Sequence, residues 1–167
     1  YMQDTVDGFE TDTTGNVMSI LNKDHDFKVL LAGHVDEIGM MITMITSDGL
    51  AKVTNVGGIR PALYLGQKVR ILTKNGIIGG VVGYNNDLLK NKSLETKDLF
   101  IDLGATSKEE ALKVIAPGDY VVADTDYLEL LNNNLAGRAL DNRLGAFIVI
   151  EALRRAKELG TRVGVYS

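Results

Sequence analysis

The stretch Gly33-His34-Val35-Asp36-Glu37 places a histidine and two carboxylates within five residues. It follows Val29-Leu30-Leu31-Ala32, a continuous apolar run of the kind expected of a parallel strand covered on both faces. In open α/β sheets the functional crevice lies beyond the carboxyl ends of the strands, so His34 emerges where a site is expected. Residues two apart in extended backbone face the same way. Asp36 can therefore orient the His34 imidazole, whereas Glu37 faces away unless the chain turns. The spacing is met equally well by a hydrogen-bonded histidine near a strand end, with Asp36 capping a turn.

A second candidate is Asp141, within Gly137-Arg138-Ala139-Leu140-Asp141-Asn142-Arg143, just ahead of an apolar helical pattern. Taken alone it reads first as an N-cap, accepting the free N–H groups of the first turn, and second as a metal ligand. The flanking glycine and arginines leave both readings open. Other residues are weaker candidates. His25, between Asp24 and Asp26, reads as a solvated turn. Gly57, Gly58, Gly79, Gly80 and Gly83 have the wrong spacing for a phosphate loop and read as turns and bulges. Asp98 and Asp102 read as solvated strand residues or turn formers, and no serine sits in a Gly-x-Ser-x-Gly elbow.

Composition narrows the chemistry. The chain has 167 residues, 45% of them hydrophobic, enough for a real core in one or two globular units. Its 22 acidic and 18 basic residues form no block of like charge, so neither nucleic acid nor a membrane surface is an expected partner. No apolar run is long enough to span a bilayer and no signal-peptide pattern is present, so a cytoplasmic location is expected. With no cysteine and two histidines, any metal must be held largely by carboxylates.

The elements that would position these residues change character along the chain. Short β-type runs at 40–45, 52–56, 68–72, 77–82 and 120–123, separated by turn signals such as Ser47-Asp48-Gly49 and Lys74-Asn75-Gly76, predict a small barrel or sandwich. Ser107-Lys108-Glu109-Glu110 is a capping-box pattern that predicts a short helix. A stronger helix is expected over 142–159, stopped by Gly160; its first half is apolar on nearly every side, which argues for burial. The order is α/β, all-β, then α/β again. It predicts a β domain over 39–124 inserted into an α/β domain made of 1–38 and 125–167. Tyr1 ahead of Met2, and a strand only beginning at 162–167, read as a chain truncated at both ends.

Six blocks in order carry a resemblance: Gly15-Asn16-Val17; Gly33-His34-Val35-Asp36-Glu37-Ile38-Gly39; Val56-Gly57-Gly58; Asp98-Leu99-Phe100-Ile101-Asp102-Leu103-Gly104-Ala105; Pro117-Gly118-Asp119; and Leu140-Asp141-Asn142-Arg143-Leu144-Gly145. Together they resemble the tetrahedral (glutamyl or deblocking) aminopeptidase family, over nearly the whole chain and about the middle half of a complete member. The resemblance implies a three-layer, phosphorylase/peptidase-like α/β catalytic domain interrupted by a small β-barrel dimerisation domain. It also implies two divalent metal ions, zinc or cobalt, bridged by an aspartate and a water. Carried over by motif, His34 would ligate one ion, Asp36 would orient that histidine and Asp141 would bridge both ions. The family's glutamate pair, one the general base and one a ligand, would follow shortly after Ser167, and its other Asp and His ligands later still.

The implied activity is hydrolysis of a peptide's N-terminal residue, with self-association through the β domain up to a dodecamer. Residues 1–167 alone are then expected to be inactive. Some relatives carry an endoglucanase label, but tryptophan is absent and no glycosidase carboxylate pair is evident. Tyr84-Asn85-Asn86-Asp87 departs from the family, in which many members have a proline-rich turn. The alternative of a different class is a non-enzymatic fragment or assembly module built around the inserted β domain.

Overall fold

The computed structural model of the protein describes residues 1–84 and 94–167; the family departure at 85–87 lies outside the described residues. The chain divides into two compact units, Tyr1–Asp36 with Ala139–Ser167, and Glu37–Arg138.

In the first unit, β1 (Gly8–Thr11) and β2 (Val17–Leu21) form a hairpin whose turn is organised by Asp12. Its carboxylate accepts from the backbone N–H and hydroxyl of Thr14 at 2.9 and 2.8 Å, and from the backbone and side-chain amides of Asn16 at 3.0 and 2.8 Å. Gly15 takes the φ of +91° that this turn needs. With β3 (Lys28–Leu30) and β12 (Gly164–Tyr166) the hairpin makes a mixed sheet in the order β1-β2-β12-β3, in which β12 runs parallel to β3 and antiparallel to β2.

The helix α2 (Leu140–Glu158) buries Leu153 in a cluster with Met2, Leu21 and Val165, against which Leu31, Ile150 and Ala156 also pack. It ends as its sequence predicts. Gly160 adopts φ +67°, and Gly160 and Thr161 donate to the carbonyls of Lys157 and Ala156.

Two burial expectations are corrected here. Side chains of a strand alternate between faces, and among the described residues one face of the 29–32 run is covered: Leu31 packs inward while Leu30 is 67% exposed. The first half of α2 is likewise one-sided, because Leu144, Phe147 and Ile148 are each more than half exposed.

The second unit is a closed antiparallel barrel in the order β4-β5-β8-β7-β6-β9, from β4 (Gly39–Ile45), β5 (Ala51–Val56), β6 (Lys68–Thr73), β7 (Gly76–Tyr84), β8 (Leu99–Asp102) and β9 (Tyr120–Ala123). Alternate residues point inward, and Met40, Ile71, Leu99, Ile101 and Val121 are completely buried. Strand β8 closes the ring between β5 and β7. Asp98 and Asp102 lie at its ends as turn formers, accepting from the backbone N–H groups of Glu95 and Gly104 at 2.9 and 2.8 Å. Gly79, Gly80 and Gly83 lie within β7 rather than in turns. A Cβ on Gly80 would meet the Ile101 side chain at 2.6 Å, and one on Gly83 would meet the Phe100 ring at 2.3 Å, so these glycines make room for β8.

The short helix α1 (Lys108–Ala111) is capped by Ser107 Oγ, which accepts from the Glu110 N–H at 3.2 Å. The Glu110 carboxylate turns back to Thr106 instead of to the cap residue, taking its N–H and hydroxyl at 2.8 and 2.9 Å. Residues 125–138 group with the barrel rather than with the α/β part. They include a small hairpin of β10 (Leu128–Leu130) and β11 (Asn134–Ala136).

Candidate metal centre

The candidate residues converge inside the first unit. The chain leaves the sheet after Leu31, whose N–H donates to the Tyr166 carbonyl at 2.7 Å. It then passes directly against α2: a Cβ on Gly33 would lie 2.7 Å from the backbone nitrogen of Ala146 and 2.8 Å from its Cα. On the helix side, a Cβ on Gly145 would collide with the Asn142 side chain at 1.8 Å. The absence of a side chain at Gly33 lets the His34 segment lie against the helix at Ala146, and its absence at Gly145 leaves room for the Asn142 side chain.

His34 Nδ1 and Asp36 Oδ1 are 2.8 Å apart, and His34 Nε2 and Asp141 Oδ1 are 3.4 Å apart. An ionised Asp36 can only accept, so the ring proton of a neutral imidazole belongs on Nδ1, leaving a lone pair on Nε2. Nε2 and Asp141 Oδ1 are then two acceptors facing each other with no hydrogen between them, an arrangement that suits a cation. Two ligands of a tetrahedral zinc ion, with Zn–N and Zn–O bonds of roughly 2.0–2.2 Å, lie about 3.4 Å apart, matching the observed separation. The donors present thus fit a divalent ion as far as they go. Among the described residues no group of three or more His, Cys, Asp or Glu side chains could hold a metal ion.

The backbone around Asp141 decides against its reading as an N-cap. Ala139 starts α2 with φ +58°, Asp141 is extended at φ −87°, ψ 105°, and no side chain caps the helix. The Asp141 side chain is instead 97% exposed. Its peptide bond to Asn142 is cis.

Two arginines that the sequence left undecided acquire partners. Within the second unit Arg138 pairs with Glu37, whose side chain is 15% exposed, so that carboxylate is engaged away from solvent. Within the first, Arg143 Nε donates to the Val35 carbonyl at 2.9 Å. Their only sequence signal is proximity to Asp141. His25 is a local turn residue, as expected, its Nδ1 accepting from the Phe27 N–H at 3.1 Å.

Residues 15–167 match the profile of the M42 glutamyl aminopeptidases. The chain belongs to that family. Lysyl aminopeptidase of Pyrococcus furiosus is 30% identical over 167 residues, covering 94% of this chain and 47% of its own length. The TET aminopeptidase of a marine-sediment Thaumarchaeota archaeon superposes with a TM-score of 0.89 at 33% identity, over 99% of this chain and 49% of that one. The TET1 peptidase of Pyrococcus horikoshii, described as assembling into a tetrahedron or a large octahedral shell, gives 0.83 at 34% identity, over 95% of this chain and 49% of that one. The mixed sheet and closed six-stranded barrel are therefore the fold of this M42 family. The chain spans about half the length of the relatives it matches.

Proposed function

We propose that this M42 chain is part of a cytoplasmic dinuclear metal-dependent aminopeptidase that removes the N-terminal residue of peptides. The observation that carries this reading is the convergence of His34 Nε2 and Asp141 Oδ1 at 3.4 Å, with Asp36 holding the opposite ring nitrogen. In this reading His34 would help hold one ion and Asp141 would help hold both. Asp141 suits that role because a carboxylate has two oxygens and this one spends neither on a helix cap. Asp36 fixes the tautomer and ring plane of His34 and raises the basicity of Nε2. When bound, two divalent ions, zinc or cobalt, would polarise the scissile carbonyl and lower the pKa of the attacking water.

The remaining ligands and the general base, a glutamate pair in the family pattern, come in this proposal from the part of the protein outside these residues. That part would also complete a three-layer catalytic domain, to which this chain contributes Tyr1–Asp36 and Ala139–Ser167. The barrel, within 39–124, would serve as the dimerisation insert through which subunits assemble, up to a dodecamer.

The test uses the full-length protein. Asp141→Ala is expected to lower kcat on an aminoacyl anilide at saturating zinc or cobalt by about a thousandfold or more, since several kcal/mol of transition-state stabilisation depend on the paired ions. Near-normal turnover with two metal equivalents still bound would overturn the bridging role.

A further inference from the structure

We propose that Arg143 is a positioning residue for the metal pair: its guanidinium holds the carbonyl of Val35 and thereby sets His34 against Asp141. The proposal rests on the reading of those two residues as ligands. Val35 lies between His34 and Asp36, the two residues whose side chains pair at 2.8 Å. Among the described residues, no backbone–backbone hydrogen bond reaches residues 32–36. This segment has left the ladder at Leu31 and is not in a strand. A peptide segment without such bonds is free to rotate and needs side-chain partners to hold one geometry. Arg143 supplies one, donating from Nε to the Val35 carbonyl at 2.9 Å.

The other end of Arg143 is fixed as well. Its backbone N–H donates to the Ala139 carbonyl at 3.1 Å, closing the turn in which Leu140, Asp141 and Asn142 lie. One residue therefore spans the two segments that carry the candidate ligands, which are 107 residues apart in sequence, from position 34 to position 141. The contact of Gly33 with the Ala146 backbone limits how closely the segments approach. The Arg143 bond limits how far the loop swings away.

The sign of the effect separates this role from a simpler one. A guanidinium acting only through its charge would repel a nearby cation, so its removal would tighten metal binding. A guanidinium acting as a tether would weaken metal binding on removal, because the donors would sample wider separations.

The experiment measures zinc affinity of the full-length protein against a chromophoric chelator, with the visible spectrum of the cobalt form as a report on coordination geometry. Arg143→Met keeps the aliphatic length and removes donors and charge. It is expected to fold, to bind zinc about tenfold more weakly and to change the cobalt bands. Arg143→Gln keeps an N–H donor without the charge and is expected to recover most of the affinity. Unchanged or tighter binding in Arg143→Met would overturn the proposal, as would a glutamine variant no better than the methionine one. So would a methionine variant that does not fold, since the arginine would then hold the fold rather than the site. His34→Ala and Asp141→Ala enter the same titration. If both keep full affinity, the ligand reading itself fails and the positioning role falls with it; if both lose metal while Arg143→Met does not, only the positioning role fails.

Discussion

The barrel and the sheet unit solve the problem of burying side chains in opposite ways. In the barrel every strand is paired on both edges, and its interior is filled by residues such as Met40, Ile71 and Leu99 with no exposed surface. The sheet unit has four strands and one long helix, and that helix leaves Leu144, Phe147 and Ile148 more than half exposed. The metal candidates belong to the sheet unit, on two segments held together by a few polar contacts and one close backbone approach. Order in the barrel comes from packing, while order at the site comes from individual hydrogen bonds and from the lack of a Cβ at Gly33. Functional groups placed on irregular backbone beside a rigid scaffold follow the usual division of labour between loops and sheets.

The largest expected effect tests whether the barrel is a cooperative unit of its own. Leu99→Ala deletes a fully buried side chain of β8 and should cost about 2–5 kcal/mol. Amide hydrogen exchange should show the loss of protection in β4 to β9, with β2, β12 and α2 little changed. Equal loss in both units would mean that they unfold together and would erase the distinction drawn above.

A smaller effect probes the contrast at the site. Gly33→Ala puts a methyl group 2.7 Å from the Ala146 nitrogen, and backbone on both sides has to shift. A cost of about 1–3 kcal/mol is expected in the stability of the sheet unit, with weaker zinc binding and normal protection in the barrel. A variant as stable as the parent, with unchanged affinity, would show that the approach of loop to helix does not set the site.

The barrel was the more legible of the two units. The runs at 40–45, 52–56, 68–72, 77–82 and 120–123 coincide with β4, β5, β6, β7 and β9, because alternating polarity and turn residues are local signals. The sixth strand was not among them. Leu99 to Asp102 is four residues long and bounded by aspartates, so a turn reading competed with it. Likewise, the glycines of β7 look like turns until the neighbouring Phe100 and Ile101 side chains are seen to fill their space.

At the site, the pairing of His34 with Asp36 was legible because it depends on a two-residue spacing. The release of Asp141 from the helix cap was not, since it depends on the φ of +58° at Ala139, a conformation that an alanine does not advertise. Nor were the arginines. The bonds from Arg143 to Val35 and from Arg138 to Glu37 join positions about a hundred residues apart in sequence, and no local pattern encodes them.

The smallest expected effect concerns acid, and it sharpens the comparison from the polar side. Asp12 accepts four hydrogen bonds in the β1–β2 turn, and those from the Asn16 and Thr14 side chains above all hold its carboxyl down at about 2, against an ordinary value of 3.8. A carboxyl whose folded pKa lies below its unfolded one stabilises the fold above the unfolded value and loses that contribution as pH falls through the folded one. The window is therefore from about pH 4 down to about pH 2. Because the turn is solvent-exposed, the loss should be local. Amide protection across Gly8–Thr11 and Val17–Leu21 should decline through this window while the barrel core, apolar among the described residues, holds its protection. Asp12→Asn retains an oxygen acceptor but cannot titrate, so its hairpin protection should start lower and stay flat over the same range. A carboxyl resonance of Asp12 titrating near 4 by NMR, or a hairpin whose acid response survives the asparagine substitution, would show that the turn is not anchored by the ionised side chain.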